Sequence, residues 1–512
     1  MRLLFGPRGR QLALMVVAGG CAPFIFSSCS QSKPRPPEQV VEIGTQTQLL
    51  MDDFVLESTQ ALERNLNPLR KHEGNPLLRP ERPWEGQYTL PSTVLYDESD
   101  RLFKMWYSCL EERWNPHSRK SRSAYAFSHD GIAWERPQLG LTSYQGSRQN
   151  NLLSYPVGRV LLDRREARPS HRFKSLSYGR VKEEEPAGLL ISFSADGLTW
   201  TPHPDNPLLS QPRGGGTHPG IGDTHTILGW DDHWGRYVAY MRPSSRFRDI
   251  GRSESSDFID WRLPTPVLVP DELDPPGTQF YGMSVLRDRG IYLGLLWVYH
   301  PNSLTLDVQL AFSREGVGWR RLGRRHPILT YGLPHEFDSH ILLGLKPLIV
   351  GDEIRVYYAA ENEAHALTQQ DLPLLTHPPA KPPESLSEQS WLERRRGFGG
   401  LAISRRDGFV SLDSGSPLGI LVTKPFTLRG QKLLINADAS MGRFRVEIQD
   451  SQGDPVKGLA ASDSEVFRSD SLRHVASWKG KADLSSLHGE AIKVKLMMTN
   501  TKLYSFAVSD TE

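Results

Sequence analysis

Ser128-His129-Asp130-Gly131-Ile132-Ala133-Trp134 is written again as Ser194-Ala195-Asp196-Gly197-Leu198-Thr199-Trp200, as Ser255-Ser256-Asp257-Phe258-Ile259-Asp260-Trp261, and as Ser313-Arg314-Glu315-Gly316-Val317-Gly318-Trp319. The tryptophans step by 66, 61 and 58 residues, and a fifth copy at Ser404, Asp407 and Gly408 lacks the tryptophan. Self-similarity at this period marks one supersecondary unit, repeated and stacked. The phrase has a mechanical meaning: Asp-Gly supplies the positive φ of a tight hairpin turn, and the serine and the acid bond the turn's own backbone. The tryptophan restarts an extended run and packs between units. These are scaffold residues.

Aromatic-rich runs precede each copy, at Phe103 to Tyr107, Phe173 to Tyr178, Tyr237 to Tyr240, Tyr292 to Trp297 and Ile354 to Tyr358, and their period-two alternation reads as strand. Upstream of each run a β-branched stretch ends in an acid, Asp97, Asp163, Asp231, Asp288 or Asp352, which belongs in the turn between first and second strands. Five such units of about four strands each predict an all-β fold, a five-bladed β-propeller over residues 45–415.

The flanks complete the organisation. Arg2, Arg8 and Arg10 precede an apolar stretch from Leu12 to Phe26, too short for a membrane span but fitting an export signal over residues 1–29. Phe26-Ser27-Ser28-Cys29 has the form of a lipidation site, with Cys21 the alternative and an ordinary cleaved signal the plainer reading. Residues 30–44 make a tether. A Pro-rich segment over 362–396 interrupts the fifth unit, as an insertion or a lid. Beyond 416 the phrase stops, and alternating runs at Lys432 to Asn436, Phe444 to Gln449, His474 to Trp478, Ile492 to Met498 and Leu503 to Val508 predict a β-sandwich over 416–512.

Composition narrows the partners. The chain has 512 residues with 61 basic and 59 acidic side chains, a net charge of +2 that offers no field for nucleic acid. Three cysteines cannot form a disulfide framework, and Cys109 reads as a small buried hydrophobe. Neither a metal nor a cofactor is demanded by any ligand spacing. Membrane contact is expected only through the N-terminal lipid.

In an antiparallel four-stranded unit the start of the first strand and the end of the second share one face, opposite the Asp-Gly turns. That face collects Glu85, Asp223, His225, Tyr281, Glu336, Asp338 and His340 from strand starts, and Glu111, Glu112, Arg242, His300, Glu361, Asn362 and His365 from strand ends. Carboxylates converging from several units, with His and Arg between them, suit glycoside cleavage: one acid protonates the leaving oxygen while an ionised carboxylate acts as base or nucleophile. Trp84, Tyr88, Trp297 and Tyr299 offer stacking surfaces for sugar rings, or packing between units.

The phrases Phe103-Lys104-Met105-Trp106-Tyr107 and Tyr125-Ala126-Phe127-Ser128-His129-Asp130-Gly131, with the trailing β-rich module, resemble the five-bladed propeller glycosidases of glycoside hydrolase families 32 and 43. Trp84-Glu85-Gly86, Gly251-Arg252-Ser253-Glu254-Ser255, Phe337-Asp338-Ser339, Thr423-Lys424-Pro425-Phe426 and Leu503-Tyr504-Ser505-Phe506 narrow the resemblance to uncharacterised family-32-like bacterial proteins. The resemblance implies an acid on the first strand of each of the first three units. Asp223 stands eight residues before its turn acid, whereas Thr89 and Tyr155 occupy that offset in units one and two.

The expected function is therefore an exported, lipid-anchored glycosidase acting on carbohydrate. Asp223, Glu336, Asp338 and Glu85 are the catalytic candidates, and His225, Arg242, Tyr281, His300, His340 and Glu361 the substrate-binding ones. A non-catalytic glycan-binding lipoprotein and a glycoside phosphorylase are the alternatives.

Overall fold

The computed structural model describes residues 40–110, 121–182, 187–210, 221–243, 248–362 and 396–510. Cys21, Cys29, most of the expected tether, the interior of the Pro-rich segment, Glu111, Glu112 and His365 lie outside them. The described protein is all-β, with only short 3-10 turns besides strands.

Five antiparallel units follow one another. Unit 1 is Tyr88–Asp97, Leu102–Leu110 and Ser121–Ser128, extended by a bridge from Phe127 to Glu135. Unit 2 is Arg159–Leu162, Phe173–Gly179, Gly188–Ser194 and Thr201–Pro202, and unit 3 is Ile221–Asp231, Arg236–Pro243, Ile250–Ser255 and Thr265–Leu268. Unit 4 is Gln279–Asp288, Ile291–His300 and Thr305–Ser313, edged by Arg320–Arg321 and Pro327–Leu329. Unit 5 pairs Ile341–Gly344 and Leu348–Val350 with Glu353–Glu361, then Gly397–Arg405, and its outer edge is the N-terminal strand Arg70–Lys71. Second strands such as Ile291–His300 are apolar on both faces because neighbouring units cover both sides of the sheet.

The repeated phrase folds as its chemistry dictates. Ser128 Oγ accepts from Gly131 N at 2.9 Å, while Asp130 Oδ1 accepts from Ile132 N at 2.7 Å and Ala133 N at 2.9 Å; Gly131 has φ +77°. The turn glycine also serves the neighbouring unit. Tyr357 of unit 5 donates to Gly131 O at 2.8 Å, Trp106 of unit 1 to Gly197 O at 2.7 Å, and Tyr240 of unit 3 to Gly316 O at 2.9 Å.

The recurrent turn acids work the same way in the other direction. Asp97 takes Arg172 of unit 2 at 2.8 Å, Asp163 takes the Tyr237 hydroxyl of unit 3 at 2.6 Å, and Asp231 takes the Tyr292 hydroxyl of unit 4 at 2.6 Å. Asp288 meets Arg406 of unit 5 at 3.3 Å. Each such bond contributes about 0.5–1.5 kcal/mol, more for the charged ones. Every consecutive pair of units is latched, and unit 5 is latched to unit 1. The backbone ladders do not merge into one closed barrel: units 2 and 3 are separate sheets, while one-residue parallel bridges, Leu306 to Ile341 and Gly397 to Tyr88, join units 4, 5 and 1.

After the units come two further sheets sharing one core in which Phe426, Phe444, Trp478 and Phe506 are buried. One contains Lys432–Asp438, Asp470–Val475 and Lys502–Ser509; the other contains Gly419–Thr423, Arg443–Asp450 and Ala491–Thr499. Two details differ from expectation. The run at His474 to Trp478 pairs instead over Asp470–Val475. Residues 48–66 belong to this module rather than to the units: Gln48–Leu49 pairs with Lys502–Ser509, Leu56–Gln60 with Gly419–Thr423, and Leu62–Leu66 with Val410–Ser414, itself paired to Lys502–Ser509. A boundary placed at 45 and 416 cannot detect that, because strand pairing across more than 300 residues leaves no local trace.

Candidate functional site

The expected carboxylates divide into two environments. Glu85 ends the 3-10 turn Pro83–Glu85 before the first strand of unit 1, and it has no exposed surface. Its Oε2 accepts from the backbone N–H of Glu81 and Arg82, and its Oε1 from the Tyr107 hydroxyl and Arg136 Nε, both at 2.8 Å. Tyr107 in turn accepts from Asn151 Nδ2 at 2.6 Å.

Asp338, 1% exposed, sits before the first strand of unit 5. Its Oδ2 takes Lys71 Nζ at 2.7 Å and the Tyr358 hydroxyl at 3.0 Å, and Asn75 Nδ2 donates to that hydroxyl at 3.2 Å. The two constellations are equivalent by register. Tyr107 and Tyr358 stand on second strands, opposite Ala124 and Gly400 on the third; Arg136 follows Glu135, paired to Phe127, as Lys71 follows Arg70, paired to Ile403. Asn151 donates to Tyr125 O and Asn75 to Leu401 O, again at matching positions. This acid, tyrosine, asparagine and cation form a clasp that pins the entry loop to the sheet. Burial raises both phenols well above their ordinary value, and the neighbouring carboxylate raises each further. Glu85 and Asp338 are thus buried and paired within the clasp, whereas exposed catalytic carboxylates were expected at these positions.

Asp223 differs in every respect. It lies at the start of Ile221–Asp231, and its side chain is 60% exposed. Arg242 donates to its Oδ1 at 2.6 Å, to Thr224 Oγ1 at 2.9 Å and to Tyr281 O at 3.1 Å. Asp223 Oδ2 has no protein hydrogen bond among the described residues. Two guanidiniums lie near the Tyr281 ring, Arg242 at 4.8 Å and Arg248 at 5.2 Å from its centroid, and Arg248 also donates to Gln279 at 2.6 Å. Arg248, Thr224 and Gln279 escaped the sequence reading because nothing local distinguishes them from other loop polar residues.

Glu336 is exposed, its Oε2 accepting from Leu333 N at 2.8 Å. A Cβ on Gly332 would stand 2.2 Å from Glu336 Oε2 and 2.4 Å from Asp338 Oδ1, so those oxygens are no farther apart than the two lengths end to end. Only a residue without a side chain admits both acids beside it. Glu336 and Asp223 share no hydrogen-bond partner.

Among the remaining residues, His300 Nε2 meets Asp307 Oδ2 at 2.9 Å. His340 N donates to Glu361 O at 3.2 Å, and Glu361 is buried at the end of its strand. His225 Nε2 lies 2.8 Å from Leu176 O, so that nitrogen carries the proton and is spent on unit 2. Burial, and then the adjacent Arg159, lower the His225 pKa to about 4, leaving the ring neutral at ordinary pH.

The clasp asparagines did leave a signal. Asn75-Pro76-Leu77-Leu78, Asn151-Leu152-Leu153 and Asn206-Pro207-Leu208-Leu209 repeat an asparagine before paired apolar residues, and Asn206 likewise brackets Ile191 through both its amide atoms.

The described residues thus define an all-β protein of five sheet units and a two-sheet module, with an exposed carboxylate, Asp223, held by an arginine on the face opposite the hairpin phrases. No protein-family model and no curated protein matches the chain. Parts of it are similar to solved structures. A glycosyl hydrolase from Bacteroides ovatus is 15% identical, with 57% of this chain and 90% of that one covered and a TM-score of 0.38. An N-acetylgalactosamine deacetylase from F. plautii, in complex with blood group B trisaccharide, is 15% identical over 70% and 95% with a TM-score of 0.38. A structure from the GH130 family of mannoside phosphorylases, which contains glycoside hydrolases that target β-1,2 mannosidic linkages in Candida mannan, is 14% identical over 58% and 93% with a TM-score of 0.40. Likenesses at this level assign the chain neither a family nor an activity.

Proposed function

We propose that the five latched units form a five-bladed propeller and that the chain is an exported, lipid-anchored carbohydrate-active enzyme, a glycoside hydrolase whose site lies around Asp223. The observation that carries the reading is Asp223 itself, exposed on the strand-start face, with Oδ1 fixed by Arg242 and Oδ2 without a protein hydrogen bond among the described residues. Arg242 is anchored at three points, so the carboxylate it orients is preorganised. In this role Asp223 Oδ2 attacks the anomeric carbon or takes a proton from the water that does. Glu336, with Oε2 fixed by Leu333 N–H, gives its proton to the leaving glycosidic oxygen as the C–O bond breaks. Tyr281 and its flanking guanidiniums bind the sugar, with His300, His340 and Glu361 taking hydroxyls from the neighbouring units. Cys29 is the proposed lipid attachment.

A second reading, glycoside phosphorolysis, is favoured by one observation: two guanidiniums, Arg242 and Arg248, lie 4.8 and 5.2 Å from the same Tyr281 ring, and arginines of this kind hold phosphate. Reducing-sugar release from a glycan panel, with and without phosphate, tests both. Turnover that needs no phosphate and disappears in Asp223→Asn and Glu336→Gln supports the hydrolase, and phosphate-dependent turnover the phosphorylase. Glycan binding with no turnover replaces both with a lectin-like protein.

A further inference from the structure

A cavity of about 310 Å³ runs between the units and is lined by the first strands of all five. Two cations cross it. Lys346 of unit 5 reaches over to Leu228 O of unit 3 at 2.7 Å. Arg159 of unit 2 donates to Ser92 O of unit 1 and to His225 O of unit 3, and lies 5.5 Å from the Trp297 ring of unit 4. Neither has a carboxylate partner among the described residues. The one acid in the lining, Glu98, is spent on Arg164 at 2.9 Å, and both of these are solvent-exposed beside the turn acids Asp97 and Asp163, so they mark the mouth. None of the residues placed around Asp223 lines this cavity, which opens on the opposite face.

Carbonyl dipoles satisfy single N–H groups but do not neutralise a charge, and a cation withdrawn from water without a counter-ion is costly. Two N–H groups of Lys346 and the Arg159 Nη2 remain undonated among the described residues. We propose that the channel binds a small inorganic oxyanion, of phosphate or sulfate size and charge, between Arg159 and Lys346, entering by the turn-acid face. The volume admits such an ion with several waters, each occupying about 30 Å³ in the liquid. The bound charge ties units 2 and 5 to one another, where none of the described residues supplies a carboxylate to either cation. Burial lowers Lys346 to about 8 and Arg159 to about 10, consistent with two cations that lack a carboxylate partner among the described residues. Arg159, with Glu98 and Arg164 at the mouth, are the other charged groups facing Lys346.

Thermal unfolding of the full chain in sulfate or phosphate, against chloride at matched ionic strength, tests the site. The expected result is a saturable rise in melting temperature with the oxyanion, weakened about tenfold in apparent affinity by Lys346→Met. The affinity falls as pH rises through about 8, where Lys346 loses its proton. No oxyanion-specific rise, or an unchanged affinity in Lys346→Met, overturns the proposal. If that variant does not fold, selenate soaked into crystals of the unmodified protein decides: an anomalous peak between the two cations supports the site, and its absence there overturns it. No readout involves glycan, so failure here leaves the glycosidase reading standing, and failure of that reading leaves this one.

Discussion

The entry loops of units 1 and 5 and the first strand of unit 3 each bring an acid to the same face of the molecule, and the acids meet opposite fates. Glu85 and Asp338 are buried beneath a tyrosine, an asparagine and a cation. Asp223 is 60% exposed, and among the described residues one of its oxygens accepts no hydrogen bond. The difference lies in the second-strand partner: a tyrosine opposite the third strand in units 1 and 5 closes over the acid, whereas in unit 3 Arg242, at the end of its strand, reaches forward to it. An acid's usefulness is therefore set by how many of its lone pairs the fold has already used.

The largest effect expected to sharpen this contrast is kinetic. Asp223→Asn lowers kcat by about 10³-fold or more while leaving the melting temperature unchanged, as measured by sugar release and calorimetry together. A variant that unfolds would make Asp223 a scaffold residue and erase the distinction. Next comes stability. Glu85→Ala removes the buried partner of Arg136 Nε and of the Tyr107 hydroxyl, and costs about 3–5 kcal/mol in denaturant unfolding. A loss below 1 kcal/mol would break the clasp reading.

The hydroxyl of the same clasp gives a smaller change. Tyr358→Phe removes one bond to Asp338 and leaves one N–H of Asn75 without its acceptor, costing about 1–3 kcal/mol, with turnover retained in the folded fraction. Equal loss of turnover would place Asp338 in the chemistry after all.

The smallest effect is in pH. The folded pKa of His225, about 4, is below its unfolded value of about 6.5, so the unfolded chain binds the proton first. Its contribution is intact above pH 6.5, declines as pH falls towards 4 and levels off below. Unfolding free energies at pH 7, 5.5 and 4 should show a decline of about 3 kcal/mol that is flattened in His225→Gln.

Much of the scaffold was legible. The Ser-x-Asp-Gly phrase and the turn acids lie in the sequence because a hairpin's hydrogen bonds close within three residues, as Ser128 and Asp130 show. The aromatic second strands were legible for the same reason that they are buried on both sides. The place of Asp223 near the start of its strand was legible from its offset of eight residues from Asp231. The clasp was not, although the repeated asparagines at 75, 151 and 206 were there to be read, because Glu85 meets Arg136 only after the sheet folds back. Arg248 beside Tyr281, and Arg159 and Lys346 in one cavity, required strands from different units.

By itself, the sequence determined the repeat, the turns and the residue types available on each face, since those depend on short-range backbone geometry and periodicity. Only the tertiary structure decided which acid stays exposed, which is buried and paired, and that two cations meet without a counter-charge. Burial and Coulombic partnership are properties of distance in space, and between units they join residues separated by tens to hundreds of positions along the chain.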